Sequence, residues 1–192
     1  EERLHNFMWR PRRHLPARGR IAIFNRSYYE EVLVVRVHPA FLEKQFMPSR
    51  LAGASLDEIW QDRYREINEF EKICTNNDIS VIKFFLNVSK DEQRERFIER
   101  LENPEKHWKF SADDLRERGY WDDYQDAFED ALSATSTENA PWYVIPADRK
   151  WFARAAIADI ITSRIEEMGL KAPEVSAEQM EDIKHARKEL GL

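Results

Sequence analysis

Two apolar runs in this chain end in the same local pattern, and that repetition restricts the fold more than any other feature. Ile21-Ala22-Ile23-Phe24 stops at Asn25-Arg26 and gives way to Ser27, with Glu30 three residues on. Ile79 through Val88, rich in β-branched and aromatic residues, gives way to Ser89, with Glu92 three residues on. A near-continuous apolar run of this length reads as a strand buried on both faces. Ser-x-x-Glu reads as a capping box, in which the hydroxyl and the carboxylate satisfy backbone donors at a helix start. A strand followed by a capped helix, twice, with no two-residue hairpin between, requires crossover connections and therefore a parallel sheet. Trp142-Tyr143-Val144-Ile145, entered from Pro141, supplies a third strand, and Asp148 is placed to cap a last long helix. The expected fold class is α/β, a three-layer parallel sheet flanked by helices.

The helices between these strands follow from spacing. Trp60, Tyr64, Ile67, Phe70 and Cys74 recur every three or four residues, predicting an amphipathic helix from near Leu56 to Asn76-Asn77. Tyr28 through Val37 reads as a helix, although Val32-Leu33-Val34-Val35 has the β-branched content of a strand; Pro39 ends it either way. After Ser89 the helical period runs through Phe97, Ile98 and Leu101, breaks at Asn103-Pro104, and resumes behind Ser111 and Asp114. Trp121, Tyr124, Phe128 and Leu132 then share a face. Trp151, Ala155, Ala158, Ile161, Ile165 and Met168 form the stripe of the last long helix, closed by Gly169 and Pro173. The expected division is a domain over residues 1–170 and a charged terminal helix within 171–192.

With 192 residues and 42% hydrophobic content, the chain has enough apolar surface for one core and too little length for two large domains. A net charge of −6 excludes a globally basic binder. The charge is uneven, however: residues 1–26 hold seven arginines against two acids, a pattern open to a solvated helix end or to a polyanion site. Cys74 is the single cysteine, so there is no intrachain disulfide and the cytoplasm is the expected compartment. No apolar run approaches the roughly 20 residues of a membrane span. The start, Glu1-Glu2-Arg3, has neither an initiator Met nor a signal-peptide profile, which suggests a chain that begins inside a longer protein.

In parallel sheets ligands sit beyond the carboxyl ends of the strands. Asn25-Arg26-Ser27, Asn87 to Ser89 and Ala147-Asp148 are therefore where chemistry is expected. Between a strand end and a helix start, exposed N–H groups favour an anion, and the Arg26 guanidinium suits phosphate oxygens; the plainer alternative is a surface ion pair. Arg94, Arg96, Arg100, Lys106 and Lys109, around Pro104 and Trp108, form either a mobile cationic flap or an ordinary charged face. Residues 90–109 hold six basic and six acidic side chains, and Glu92 and Arg96 are an i,i+4 pair, which favours the second. Five widely spaced glycines allow no G-x-x-x-x-G-K phosphate loop. The five histidines show no zinc spacing, no G-x-S-x-G elbow occurs, and Cys74 lies on an apolar stripe. Trp108, Trp121 and Trp142 read as core residues or as platforms for a base.

Three segments, GRIAIFNRSYYEEVLVVRVHP, RFIERLENPEKHWKFSADDLRERGYWDDY and TSTENAPWYVIPADRKW, in this order, resemble the polyphosphate kinase 2 family from about Asn6 to about Met168. The resemblance implies a P-loop-kinase-like, thymidylate-kinase-like core with a helical lid over about 94–124. It implies Mg2+-dependent transfer of a terminal phosphoryl group between inorganic polyphosphate and a nucleoside mono- or diphosphate (AMP, ADP, ATP or guanine equivalents). By position, Asn25 and Arg26 take the catalytic place, Arg96, Arg100, Lys106, Lys109 and Arg118 the polyphosphate-binding lid, and Lys150 the nucleotide end. Asp114 and Glu117 also fall within the lid motif. Many members carry Asp where this chain has Asn25, and an amide is the poorer magnesium ligand. The family's Walker A loop lies upstream of the matched segments, so the resemblance implies a fragment without the first strand and P-loop, inactive alone. It further implies a homo-oligomer without nucleic-acid or membrane partners. The rivals are a non-catalytic polyanion-binding module and an oligomerisation element.

Overall fold

The computed structural model describes residues 4–172 and 174–192, so Glu1, Glu2, Arg3 and the helix-ending Pro173 lie outside the described residues. The chain divides into two compact units, Glu1–Arg154 and Ala155–Leu192.

The first unit opens with helix α1 (Trp9–Arg13), whose Pro11 is buried. Ser27 then starts a 3-10 turn (Tyr28–Val32), its hydroxyl accepting from the Tyr29 N–H at 3.3 Å. The predicted continuous helix over 28–37 is broken at Leu33, after which a single turn, α2 (Val34–Val37), follows. The cap acts where the sequence places it, but the β-branched run behind it propagates a helix poorly.

Helix α3 (Leu56–Asn76) has the predicted limits and a complete capping box between Ser55 and Glu58. Its stripe of Ile59, Trp60, Tyr64, Ile67, Phe70 and Cys74 packs with Met8, Tyr29, Val32, Val35 and Ala131 into the core. Each large apolar side chain sealed there contributes about 1.5–3 kcal/mol.

Strand β1 (Lys83–Asn87) leads to α4 (Lys90–Glu102), capped by the Ser89 hydroxyl, which accepts from the Glu92 N–H at 3.1 Å. Another 3-10 turn (Pro104–Lys109) and helix α5 (Ala112–Glu117) follow. Helix α6 (Trp121–Thr135) packs on α3 through Ala127, Ala131 and Thr135, and α6 leads to β2 (Trp142–Pro146). The strands are parallel, with Lys83 opposite Trp142 and Asn87 opposite Pro146. Helix α7 (Lys150–Glu167) begins in this unit.

The result is an α/β fold, mostly helical, around a two-stranded parallel sheet among the described residues. The third strand, predicted at Ile21–Phe24, is not formed. No described strand pairs with this segment, and Ile21 and Ile23 are 80% and 87% exposed. A strand takes its hydrogen bonds from a neighbour, so an apolar run without one has nothing to hold it.

In the second unit, α7 does not bury the predicted stripe. Ala155, Ala158, Ile165 and Met168 are exposed, because apolar residues such as Ile157 and Ile160 also occupy the helix's other faces and no single stripe dominates. Helix α8 (Ala177–Glu189) has a capping box between Ser176 and Gln179 and buries no residue. No described helix is long and apolar enough to cross a membrane.

Candidate functional site

The carboxyl ends of β1 and β2 open into a cavity of about 360 Å³ lined by Asn87, Ser89, Pro146, Ala147, Asp148, Arg149 and Phe152. Asp148 does not cap α7, as the sequence suggested. Its Oδ1 accepts from the Ser89 N–H at 2.7 Å, which joins the two strand ends and holds the Asp148 carboxyl below its usual range. Arg96 completes this rim: one guanidinium nitrogen donates to the Ala147 carbonyl at 2.7 Å and the Asp148 carbonyl at 3.3 Å, while Nε donates to Glu92 at 2.8 Å.

Of the other cations that the sequence assigned to a lid, Lys106 and Arg100 meet carboxylates. Lys106 pairs with Glu99, whose pKa is lowered first by the Lys106 hydrogen bond and also by the charges of Lys150 and Arg100. Arg100 lies 3.6 Å from Asp114 and rests over the Phe97 ring. Lys109 sits over the Trp108 ring at 4.9 Å. Arg118 is spent as a clip, donating to the Lys90 carbonyl at 2.8 Å and to Gln93 Oε1 at 2.7 Å. The ordinary charged-face pairs expected from composition, Arg96 with Glu92 and Arg94 with Glu95, are present.

Asn25 and Arg26 are exposed, directly before the Ser27 cap. Arg26 has φ +59, a left-handed backbone conformation that costs a non-glycine residue on the order of 1 kcal/mol. Its charge acts on the Tyr124 hydroxyl. Tyr124 donates to Glu117 Oε2 at 2.7 Å, and His38 Nε2 meets the same oxygen at 2.8 Å. Burial opposes the charge on Glu117, but the hydrogen bonds from His38 and Tyr124 outweigh it and keep its pKa below the usual carboxylate range. The Tyr124 hydroxyl is pushed up by burial and by Glu117. Of the candidate residues, the structure thus joins Arg96 to the strand ends, Lys106 to Glu99 and Arg100 to Asp114.

Sequence reasoning missed a buried network behind Asn25-Arg26-Ser27. Lys83 Nζ donates to Glu71 Oε2 at 2.6 Å, to the Thr135 carbonyl at 2.7 Å and to the Tyr29 hydroxyl at 2.9 Å. Tyr28 and Tyr29 both donate to Glu71 Oε1, at 2.8 and 2.9 Å. Burial pushes the Lys83 ammonium down in pKa against the pull of Glu71, and pushes both tyrosine hydroxyls up. The sequence carried a sign of this: Glu71 shares the apolar phase of Ile67, Phe70 and Cys74, and Lys83 interrupts an apolar run.

No group of three or more His, Cys, Asp or Glu side chains converges on a metal position among the described residues. Asn25 offers an amide, and Asp148 is engaged with Ser89. These side chains do not fit a resident magnesium centre.

Residues 1–173 match the family model described as Polyphosphate kinase 2. The chain is 48% identical over 187 residues to an ADP-polyphosphate phosphotransferase of Rhodopseudomonas palustris, covering 97% of this chain and 64% of that protein. It is 44% identical over 174 residues to an AMP/ADP-polyphosphate phosphotransferase of Meiothermus ruber, covering 91% of this chain and 60% of that protein. The crystal structure of polyphosphate kinase 2 from Arthrobacter aurescens TC1 superposes with a TM-score of 0.82 at 41% identity, over 95% of this chain and 61% of that one. The chain therefore spans less than two thirds of the length of these relatives. It belongs to the polyphosphate kinase 2 family.

Proposed function

We propose that this member of the polyphosphate kinase 2 family works in transfer of a terminal phosphoryl group between inorganic polyphosphate and a nucleoside mono- or diphosphate. The observation that carries the reading is the run of cations on α4 and the turn after it: Arg96 on the strand-end carbonyls, Lys106 paired with Glu99, and Arg100 3.6 Å from Asp114. A phosphate chain offers Lys106 and Arg100 the charge that Glu99 and Asp114 now supply, and phosphoryl transfer is catalysed mainly by positioning and charge stabilisation. Arg26, exposed and fixed behind by the Ser27 cap, is assigned to phosphate oxygens as well. Transfer is in line, without a covalent enzyme intermediate. Mg2+, expected to enter with the phosphates, would supply charge stabilisation to the transferring group, and none of the described side chains is assigned to hold it.

The phosphate cradle and the strand that carries it are assigned to sequence outside these 192 residues. The glycine spacing and the unpaired apolar run Ile21–Phe24 both support this. The 192-residue chain alone is then expected to be inactive. The test is incubation of this chain, and of the chain extended upstream of Glu1, with polyphosphate, magnesium and AMP or ADP. Growth of ADP or ATP with the extended chain only is the expected result. No growth with either removes the proposed activity, and turnover by the short chain removes the assignment of the cradle.

A further inference from the structure

Of the three tryptophans that the sequence left open between core and base platform, the structure separates one. Trp142 belongs to the core network: its Nε1 donates to Thr135 Oγ1 at 2.9 Å, and its ring meets Tyr29 edge-on at 4.6 Å. Trp121 is half-buried, with Lys90 and Arg118 over its ring at 5.8 and 5.9 Å. Trp108 is 79% exposed, on the 3-10 turn that joins α4 to α5.

An indole held in water forgoes the stabilisation that burying so large an apolar surface supplies. Polyphosphate cannot recover it, having only charged oxygens to offer. A nucleotide presents two chemistries at a fixed distance, a planar base and an anionic tail, and the surroundings of Trp108 match both. Lys109 lies over its ring at 4.9 Å, and Lys106, two residues before it, is held by Glu99. Trp151 is also open, at 67% exposure, but it is built into a regular helix and its neighbour Phe152 packs against it edge-on at 5.9 Å.

We infer that Trp108 is the stacking platform for the base of the nucleotide substrate. The inference rests on the proposed function for the nucleotide being a substrate, and it adds the residue that reads the base. Stacking accepts any base with a π-face, so Trp108 contributes affinity for nucleotides over bare phosphates rather than choice among bases.

The test is calorimetric titration of ADP, and separately of inorganic tripolyphosphate, into the 192-residue chain and its Trp108→Ala, Trp108→Phe and Trp151→Ala variants. Trp108→Ala is expected to weaken ADP binding at least about fivefold, the lower end of what one base–aromatic stack contributes. Trp108→Phe keeps a π-face and retains most of the affinity, Trp151→Ala leaves ADP binding unchanged, and tripolyphosphate binding is indifferent to all three. The inference is overturned by ADP binding that is absent in the unaltered chain, indifferent to Trp108, or lost in step with tripolyphosphate binding. It is overturned as well if Trp151→Ala alone weakens ADP, or if Trp108→Ala changes only the oligomeric state. The transfer assay reads independently: ADP binding that depends on Trp108 without transfer by any form defeats the enzymatic reading and leaves the platform standing.

Discussion

Lys83 and Glu71 form a buried ion pair, 6% and 1% exposed, in which hydrogen bonds to Tyr28, Tyr29 and the Thr135 carbonyl satisfy the remaining polar atoms. Removing one partner strands the other charge. Lys83→Met is therefore expected to destabilise the first unit by about 3–5 kcal/mol, and Lys83→Met with Glu71→Leu to recover part of that loss. Urea unfolding of the two variants checks both, and equal midpoints for Lys83→Met and the unaltered chain refute the assignment. Glu117 gives a pH dependence of definite sign. Its folded pKa is depressed by His38 and Tyr124 against the opposing effect of burial, so its contribution is present above the ordinary carboxyl value and lost as pH falls through the folded one. Thermal melts from about pH 6 down to about pH 3 should show Glu117→Gln converging on the unaltered chain at the acid end. A constant gap between the two curves means that the His38–Glu117–Tyr124 cluster does not hold the lid end.

At the scale of elements, the start of α3 is fully specified, since Ser55 and Glu58 satisfy each other's backbone groups. Ser55→Ala is expected to cost about 1 kcal/mol, readable as a shift in unfolding midpoint. The proposed lid is different in kind. Its helix α4 buries no residue and is tied down by polar contacts: Arg96 to the Ala147 and Asp148 carbonyls, Arg118 to the Lys90 carbonyl and Gln93. Elements held this way open at low free energy, as a closing flap requires. Arg100 makes a long contact to Asp114 and stacks on Phe97 without a close hydrogen bond, so it is the guanidinium of the proposed lid most available to a phosphate. In the extended chain, Arg100→Ala should lower transfer at least about tenfold, while Arg187→Ala, on the exposed α8, should leave it unchanged. Equal kcat/KM values for the two variants would remove the lid from the mechanism.

For the molecule as a whole, the exposed run Ile21–Phe24 makes the proposed strand partner testable without any assay of activity. Ile23 is 87% exposed, so Ile23→Lys should change the stability of the 192-residue chain by less than about 0.5 kcal/mol. In the chain extended upstream, where this run is assigned to a sheet, the same substitution places a charge in a core and should be strongly destabilising. A neutral effect in both shows that the run is not a strand partner.

What the sequence determined alone was the part of the fold whose causes are local. Ser27, Ser89 and Ser111 each cap a helical turn at the predicted position, because the hydroxyl reaches N–H groups two or three residues away. The α3 stripe packs as its period requires, and the run after Ile79 and the one at Trp142 yield β1 and β2. The three family segments were legible for the same reason, each being contiguous. Tertiary structure decided whatever needs a distant partner. Ile21–Phe24 has the composition of a strand and no described strand beside it, so it stays unpaired. Lys83 meets Glu71 twelve residues away across the core, and Lys106 reaches Glu99 from the turn after α4. A helix carries its hydrogen bonds within one turn of chain, whereas a strand or an ion pair is completed only by what the rest of the molecule brings to it.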